Sequence, residues 1–164
     1  MLRTISLACL FACAAQPAVA QQRDGLDLSA TMRLRYEAID SQLRVGFDAS
    51  DALVNLRTTL LASYREGPLT LTAELWDSRV WGDDPGTPVT TGEINTFELV
   101  QANVAWRTQV GKTRVTLQGG RFTLNIGSRR LVAADDYRNT TNGYTGVRAD
   151  VAAPGGLSAT AVYV

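Results

Sequence analysis

The sequence lacks most of the residues on which enzymes depend. It contains no histidine, and its two cysteines, Cys9 and Cys13, both stand near the N-terminus. Most nucleophile–base pairs and zinc sites are built from histidine and cysteine, so these constellations are excluded for the rest of the chain. Two aspartate pairs, Asp83-Asp84 and Asp135-Asp136, fall in irregular polar stretches and are interpreted as solvated loop charge. We therefore expect no enzymatic activity, no cofactor and no bound metal.

Long hydrophobic runs are also missing. No segment has the roughly eighteen or more apolar residues that a membrane-spanning helix needs. The apolar run from Ile5 to Ala15 is too short to span a membrane. Arg3 precedes this run, and Ala18-Val19-Ala20 follows it with the spacing of a secretory cleavage site. The sequence predicts a cleavable signal peptide over residues 1–20 and a mature chain over residues 21–164.

The same leader contains an alternative processing signal. Leu10-Phe11-Ala12-Cys13 resembles a lipoprotein box, although phenylalanine fits that box poorly. Cleavage after Ala20 instead removes both cysteines. The mature chain then has no disulfide framework and no thiol chemistry.

Lysine is nearly absent, whereas arginine is abundant. The chain has fifteen arginines and one lysine, Lys112, and its formal net charge is zero. This balance gives no sign of nucleic-acid binding. The planar guanidinium group of arginine binds carboxylates and phosphates in a bidentate manner. The arginine bias has two interpretations, namely contact with anions or a GC-rich coding sequence.

Regular alternation is the main positive feature of the chain. From Leu26 to Ala38, apolar side chains occupy the even positions and polar side chains the odd positions. This period of two predicts a strand with one apolar and one polar face. At about 3.3 Å per residue and a tilt of about 40°, such a strand crosses a bilayer core of about 30 Å. Downstream of a secretory signal, it indicates an outer-membrane β-barrel.

Six further strands with the same plan are predicted. They lie around residues 52–64, 69–75, 100–106, 115–126, 147–151 and 157–164. The connections are alternately long and short, and they cover residues 40–51, 66–68, 80–93, 108–112, 126–141 and 153–156. Long extracellular loops and short periplasmic turns are typical of bacterial barrels.

Two local features add detail to this prediction. Gly119-Gly120 lies where the apolar phase changes, which predicts a β-bulge that turns Arg121, Thr123 and Asn125 inward. Aromatic residues stand near both ends of the strands, as the two aromatic girdles of a barrel require. We assign Tyr64 and Trp106 to the short-turn end, and Tyr36 and Trp76 to the long-loop end, although strand parity places Trp76 on the lumen side.

The predicted fold class is an all-β, antiparallel, up-and-down transmembrane β-barrel. Seven strands do not close a bacterial barrel, which uses an even number from eight upward. An open edge in lipid would also leave a row of backbone groups unsatisfied. We therefore expect residues 21–164 to be the first seven or so strands of a longer barrel, with the remainder absent from this chain, and we expect this piece alone not to form a pore.

Residues 120–150, GRFTLNIGSRRLVAADDYRNTTNGYTGVRAD, resemble the signature of the alginate-export family of outer-membrane porins. The resemblance rests on a Gly-Arg strand, a Gly-x-Arg-Arg-Leu-Val loop start, an Asn-Thr pair and a Tyr-x-Gly-Val-Arg strand. The segments RLRYEAID and AELWDSR are similar to the same proteins. The resemblance implies a barrel of about sixteen to eighteen strands with an aqueous channel in the bacterial outer membrane.

The same resemblance implies an arginine-lined lumen that draws an anionic uronate polymer such as alginate. The arginines that match are Arg33, Arg35, Arg57, Arg121, Arg129, Arg130 and Arg148. Fixed positive charge offsets the desolvation of a passing carboxylate. Alternatively, each arginine pairs with a lumen carboxylate such as Glu37, Glu74 or Asp150 and stiffens the wall. Arg121 and Arg148 are the leading pair, because they flank a long connection that can fold inward as a constriction.

The sequence leaves two functions open. The first is a porin or channel for anionic solutes or a uronate polysaccharide. The second is a small structural or adhesive outer-membrane barrel without a transport role, and a soluble secreted β-domain is a third alternative. The expected partners are outer-membrane lipid and anionic polysaccharide or small anions, and nucleic acid is not among them.

Overall fold

The chain forms a single open β-sheet in the residues that the structure describes. The computed structural model describes residues 24–41, 45–87, 89–130, 132–134 and 137–164. The expected signal peptide and the Asp135-Asp136 pair lie outside these residues. Seven antiparallel strands pair in chain order, which confirms the predicted all-β, up-and-down architecture. None of the described residues belongs to a helix long and apolar enough to cross a membrane.

The strand bounds follow the alternation of the sequence. The strands are β1 Gly25–Ile39, β2 Asp51–Glu66, β3 Leu69–Trp81, β4 Asn95–Val110, β5 Thr113–Phe122, β6 Tyr144–Ala152 and β7 Ser158–Tyr163, with a 3-10 turn at Pro154–Gly156 before β7. The predicted connections at residues 80–93 and 108–112 begin too early. Cross-strand pairing continues to Trp81 in β3 and to Val110 in β4, so the turns start later.

The sheet has two chemically different faces. The side that we call the apolar face exposes Leu26, Leu34, Leu60, Leu71, Val104, Leu117 and Val147. The other side, the polar face, carries Arg33, Arg57, Trp76, Gln101, Gln118 and Arg148. The register keeps the two sets apart, because Leu34 pairs with Leu56 while Arg33 pairs with Arg57. Neighbouring residues of β1 therefore lie on opposite faces, as the alternation predicts.

One of the aromatic assignments is wrong. Exposed aromatic side chains mark the apolar face at Tyr36, Tyr64 and Trp106. Trp76, however, lies on the polar face, where the Arg57 guanidinium is 4.6 Å from its ring centroid. Trp81, which is 51% exposed, stands at the long-loop end of the apolar face instead. The cause is strand parity, because Trp81 is five residues after Trp76 and an odd offset places two residues on opposite faces.

The predicted β-bulge at Gly119-Gly120 is also wrong. β5 pairs with β4 and with β6 without a register shift, whereas the β3–β4 pairing shifts next to Leu75 and Ser78. Gly120 has a φ of +119°, and a Cβ atom there would lie 2.4 Å from the carbonyl oxygen of Ala102. The glycine thus permits close approach of the β4 backbone and adds no extra residue. Arg121 pairs with Ala102 and Thr145, so without a bulge it has the parity of the apolar face and the predicted inward orientation is wrong. β5 ends at Phe122, so the other two predicted inward residues, Thr123 and Asn125, belong to the following connection.

The buried apolar side chains and the fully buried polar ones lie toward the long-loop end of the sheet, where β1, β3 and β5 end and β2, β4 and β6 begin. The buried apolar residues are Leu53, Val100, Phe122 and Leu124, and the fully buried polar residues are Asn55, Ser78 and Asn139. A membrane barrel places its apolar side chains outward, so a mixed interior here indicates that a connection covers this end of the sheet.

Candidate functional site

The β5–β6 connection, residues 123–143, folds back across the polar face. Its residues hydrogen-bond to side chains of β1 and to side chains and backbone of β2 and β3. β5 is separated from these strands by β4. A connection that reaches strands two to four positions away in the sheet has to lie over its face. The inward fold suggested by the sequence is therefore present.

Three of the predicted site residues meet beneath this connection. Arg33 Nη2 donates to the carbonyl oxygens of Arg138 and Tyr137 at 2.7 and 3.2 Å. Arg35 Nη1 donates to the Tyr137 carbonyl at 2.6 Å, and Arg57 Nη1 donates to the Arg138 carbonyl at 3.2 Å. The Arg35 guanidinium also lies 4.8 Å from the centroid of the Tyr137 ring. Two successive peptide carbonyls thus orient three guanidinium groups from two adjacent strands.

Asn139 anchors the connection to the sheet. Its side-chain Nδ2 donates to the carbonyl oxygens of Leu56, Arg79 and Glu93 at 3.0, 3.1 and 2.9 Å. Its own carbonyl oxygen accepts from Ser78 Oγ at 2.6 Å. Both Asn139 and Ser78 are fully buried. The hydrogen bonds of Nδ2 offset part of the cost of burying this amide. Its Oδ1 is also buried and has no hydrogen-bond partner within the described part of the chain.

Further hydrogen bonds hold the connection on either side of Asn139. Thr140 Oγ1 donates to the carbonyl oxygens of Gly92 and Thr91 at 2.9 and 3.1 Å, which fastens it to the β3–β4 connection. Nearer β5, the backbone amide of Ala134 donates to Asn125 Oδ1 at 2.9 Å. The β5–β6 connection is therefore tied to the sheet, to a neighbouring connection and to itself.

The polar face continues across β3 and β4 as a row of hydrogen-bonded side chains. Trp76, which stacks on Arg57, donates through Nε1 to Glu74 Oε1 at 2.8 Å. The other oxygen of Glu74 accepts from Gln101 Nε2. Charged, amide and aromatic groups together make a face suited to contact with a hydrated, polar solute.

Arg121 and Arg148 each form an ion pair with a carboxylate, and Arg121 also lies beside Gly143 at the end of the connection. Arg121 Nη2 lies 2.6 Å from Glu98 Oε1, and its Nε donates to the Leu99 carbonyl at 2.8 Å. Arg148 Nε lies 2.7 Å from Asp150 Oδ2 on the same strand. All four charged side chains are partly exposed, and Arg148 contacts both oxygens of Asp150 through Nε and Nη2.

The other two predicted arginines lie within the β5–β6 connection. Arg129 has a φ of +62°, and its Nη2 donates to the Ala134 carbonyl at 2.9 Å. Its neighbour Arg130 is exposed. The structure therefore brings together Arg33, Arg35 and Arg57, and it places the remaining candidates elsewhere.

The alternative prediction, in which the arginines pair with carboxylates and stiffen the wall, holds for two of its three carboxylates. Arg35 pairs with Glu37 and Arg148 with Asp150. Glu74, the third carboxylate of that alternative, is hydrogen-bonded to Trp76 and Gln101. The polar face thus contains both ion pairs and arginines that are directed at backbone carbonyls.

The acidic residues of the described part of the chain do not form a metal centre. No group of three or more His, Cys, Asp or Glu side chains in residues 24–41, 45–87, 89–130, 132–134 and 137–164 is arranged to hold a metal ion. Asp83-Asp84 lies on an exposed part of the β3–β4 connection.

Sequence reasoning missed the residues that seat the connection. Ser78, Tyr137 and Asn139 were not among the candidates, because an asparagine in a polar stretch has the same local signature whether it is buried or solvated. The available signal was the Asn-Thr pair at residues 139 and 140, which entered only as part of the family resemblance.

The sheet is of the porin type. Its strands have an exposed apolar face and a charged polar face, and a connection folds across the polar face. The sequence model of the alginate export family matches residues 24–159, and the chain belongs to this family of outer-membrane export porins. No curated protein and no solved structure matches the chain.

Proposed function

We propose that this chain forms part of the wall of an outer-membrane channel, and that anionic polysaccharide or small anions pass along its polar face. Membership of the alginate export family supports a role in export. A uronate chain such as alginate carries one carboxylate per sugar, and arginine groups that line a channel favour the entry of such an anion. The bacterial outer membrane is the matching location.

The observation that carries this proposal is the convergence of Arg33, Arg35 and Arg57 beneath the β5–β6 connection. The carbonyl oxygens accept from the guanidinium groups and so orient them, and Arg35 is also paired with Glu37. The carbonyls of Tyr137 and Arg138 therefore hold these groups in place over the polar face, beneath the β5–β6 connection.

The apolar face supports the membrane location. Its leucine, valine and aromatic side chains are exposed along the whole length of the sheet. A contiguous apolar surface of this extent is rare on a soluble monomer and marks contact with lipid or with another protein. The tyrosine and tryptophan side chains near the strand ends match the interfacial belts of membrane proteins.

The experiment is block of single-channel current in planar bilayers by an oligouronate and by a neutral oligosaccharide of equal length. We expect the oligouronate to block the full-length channel at lower concentration than the neutral sugar. The variant Arg33→Gln plus Arg57→Gln should lose this preference, whereas Arg33→Lys plus Arg57→Lys, which keeps both charges, should retain part of it.

Arg79→Gln is the matched control for this experiment. Arg79 pairs with Leu56 in the sheet and so projects from the apolar face, where its side chain contacts Asp77. The control removes one positive charge and leaves the preference for the oligouronate intact. Equal block by both sugars in the unaltered protein contradicts the proposed substrate class.

A further inference from the structure

Asn139 stands out because a polar side chain on a long connection is completely buried. Its relative exposure is 0%, whereas Asn142, three residues along the same connection, is exposed. Loop residues ordinarily run over the surface, because their polar groups need water. A buried asparagine in a connection must therefore be held by specific partners.

The partners of Asn139 come from three separate parts of the fold. The Leu56 carbonyl belongs to β2, the Arg79 carbonyl to β3 and the Glu93 carbonyl to the β3–β4 connection. Ser78 adds a fourth contact, to the backbone carbonyl of Asn139 itself. One residue thus joins the β5–β6 connection to two strands and to a second connection.

The site recognises the amide of Asn139 through its nitrogen. The side-chain NH₂ group has two hydrogens, which the three carbonyl oxygens share, whereas the buried Oδ1 has no hydrogen-bond partner within the described residues. An aspartate of the same shape has no hydrogen to donate when it is ionised, and it would place a negative charge against three acceptor oxygens. Leucine fills a similar volume but leaves the carbonyls without their partner.

The position of Asn139 links this anchor to the arginines. Tyr137 and Arg138, whose carbonyls bind Arg33, Arg35 and Arg57, directly precede it in the chain. When the Asn139 side chain makes its hydrogen bonds, the carbonyls of Tyr137 and Arg138, one and two residues earlier, are fixed over the polar face. Release of Asn139 frees both the connection and the contacts that orient the arginines.

We infer that Asn139 is a positioning residue that seats the β5–β6 connection as a fixed constriction, and so sets the width of the channel. This inference rests on the proposed channel function. Because the anchor is a buried set of hydrogen bonds, the solute passes beside a stationary connection and does not displace it.

The test compares Asn139→Asp with Asn142→Asp in the full-length protein. Both variants make the same chemical change in the same connection, one at the buried anchor and one at the exposed neighbour. Hydrogen–deuterium exchange of residues 137–143 reports the seating directly, since the Thr140 amide donates to the Gly92 carbonyl in the seated state. Single-channel conductance in planar bilayers reports the width.

We expect Asn139→Asp to speed exchange of this segment about tenfold or more, because several buried hydrogen bonds are lost together. Its unitary conductance should rise with added open-channel noise, and Asn142→Asp should match the unaltered protein in both measurements. Ser78→Ala is the milder second variant if Asn139→Asp does not fold. It removes only the donor to the Asn139 carbonyl, and it should raise exchange in the same segment.

The two readouts separate this inference from the proposed function. Unchanged exchange in both Asn139→Asp and Ser78→Ala overturns the positioning role, whatever the currents show. Faster exchange with an unchanged conductance shows that the connection does not set the width, which also overturns the inference. Failure of the unaltered protein to conduct at all contradicts the proposed function itself.

Discussion

Arg33 and Arg57 are direct partners across the β1–β2 pairing, and both guanidinium groups donate to the same carbonyl oxygen, that of Arg138, at 2.7 and 3.2 Å. Like charges opposite one another in a sheet are destabilising. The backbone of the β5–β6 connection supplies acceptors that make this opposition tolerable. The position of the connection therefore determines where the two guanidinium groups lie, and the two arginines in turn help to hold the connection on the polar face.

The two faces can be tested by cysteine labelling, because cleavage of the expected leader leaves no native cysteine. Leu34→Cys and Val147→Cys should react with a lipid-soluble maleimide, and Arg148→Cys should react with a water-soluble one. The reason is strand parity, which places Val147 and Arg148 on opposite faces of β6. Equal labelling of Val147→Cys and Arg148→Cys by both reagents contradicts the assignment of an outer and an inner face.

The adjacent glycines of β5 should respond very differently to alanine. Gly120 has a φ of +119°, and a Cβ atom there would lie 2.4 Å from the Ala102 carbonyl oxygen, whereas a Cβ atom at Gly119 meets nothing within 4 Å. Gly120→Ala should cost about 1–3 kcal/mol in backbone strain alone, with the clash added to it. Gly119→Ala should stay within about 0.5 kcal/mol of the unaltered protein.

Urea unfolding followed by the mobility of folded and unfolded barrel on gels measures this difference. Similar unfolding midpoints for the two alanine variants show that the close approach of β4 to Gly120 is not part of the folded protein.

The ion pair between Arg148 and Asp150 gives a prediction about how salt affects the ion selectivity of the channel. Arg148→Gln should lower anion-over-cation selectivity, because Asp150 on the polar face then loses its cationic partner. The opposite change, Asp150→Asn, should raise it. Both shifts should be larger at low salt, since the screening length is about 30 Å at 0.01 M and about 10 Å at 0.1 M. If the changes in selectivity do not depend on salt, the ion pair stabilises the channel wall and does not select ions.

Strand alternation allowed most of the sheet to be predicted from the sequence. β1 was expected over residues 26–38 and extends from Gly25 to Ile39. A period of two is a local signal, and it also places Arg33 and Leu34 on different faces. The errors occurred where local signals end, at the last residues of β3 and β4 and at Gly120, whose role depends on the neighbouring strand.

The candidate site was predictable in its charge but not in its arrangement. The arginines were visible in the sequence, and the inward fold of the β5–β6 connection was suggested by its length and polarity. The clustering of Arg33, Arg35 and Arg57 at Tyr137 and Arg138 joins residues more than 80 positions apart. Contacts of that range depend on how the whole sheet is assembled, and no local pattern encodes them.

The most direct test of an anion-selective lumen is the reversal potential of the full-length channel under a salt gradient at low ionic strength. The account predicts anion selectivity in the unaltered protein, a clear loss of it in Arg33→Gln plus Arg57→Gln, and no loss in Arg79→Gln, whose charge lies on the apolar face. The same reversal potential in all three proteins would contradict the claim that the arginines beneath the β5–β6 connection select the solute.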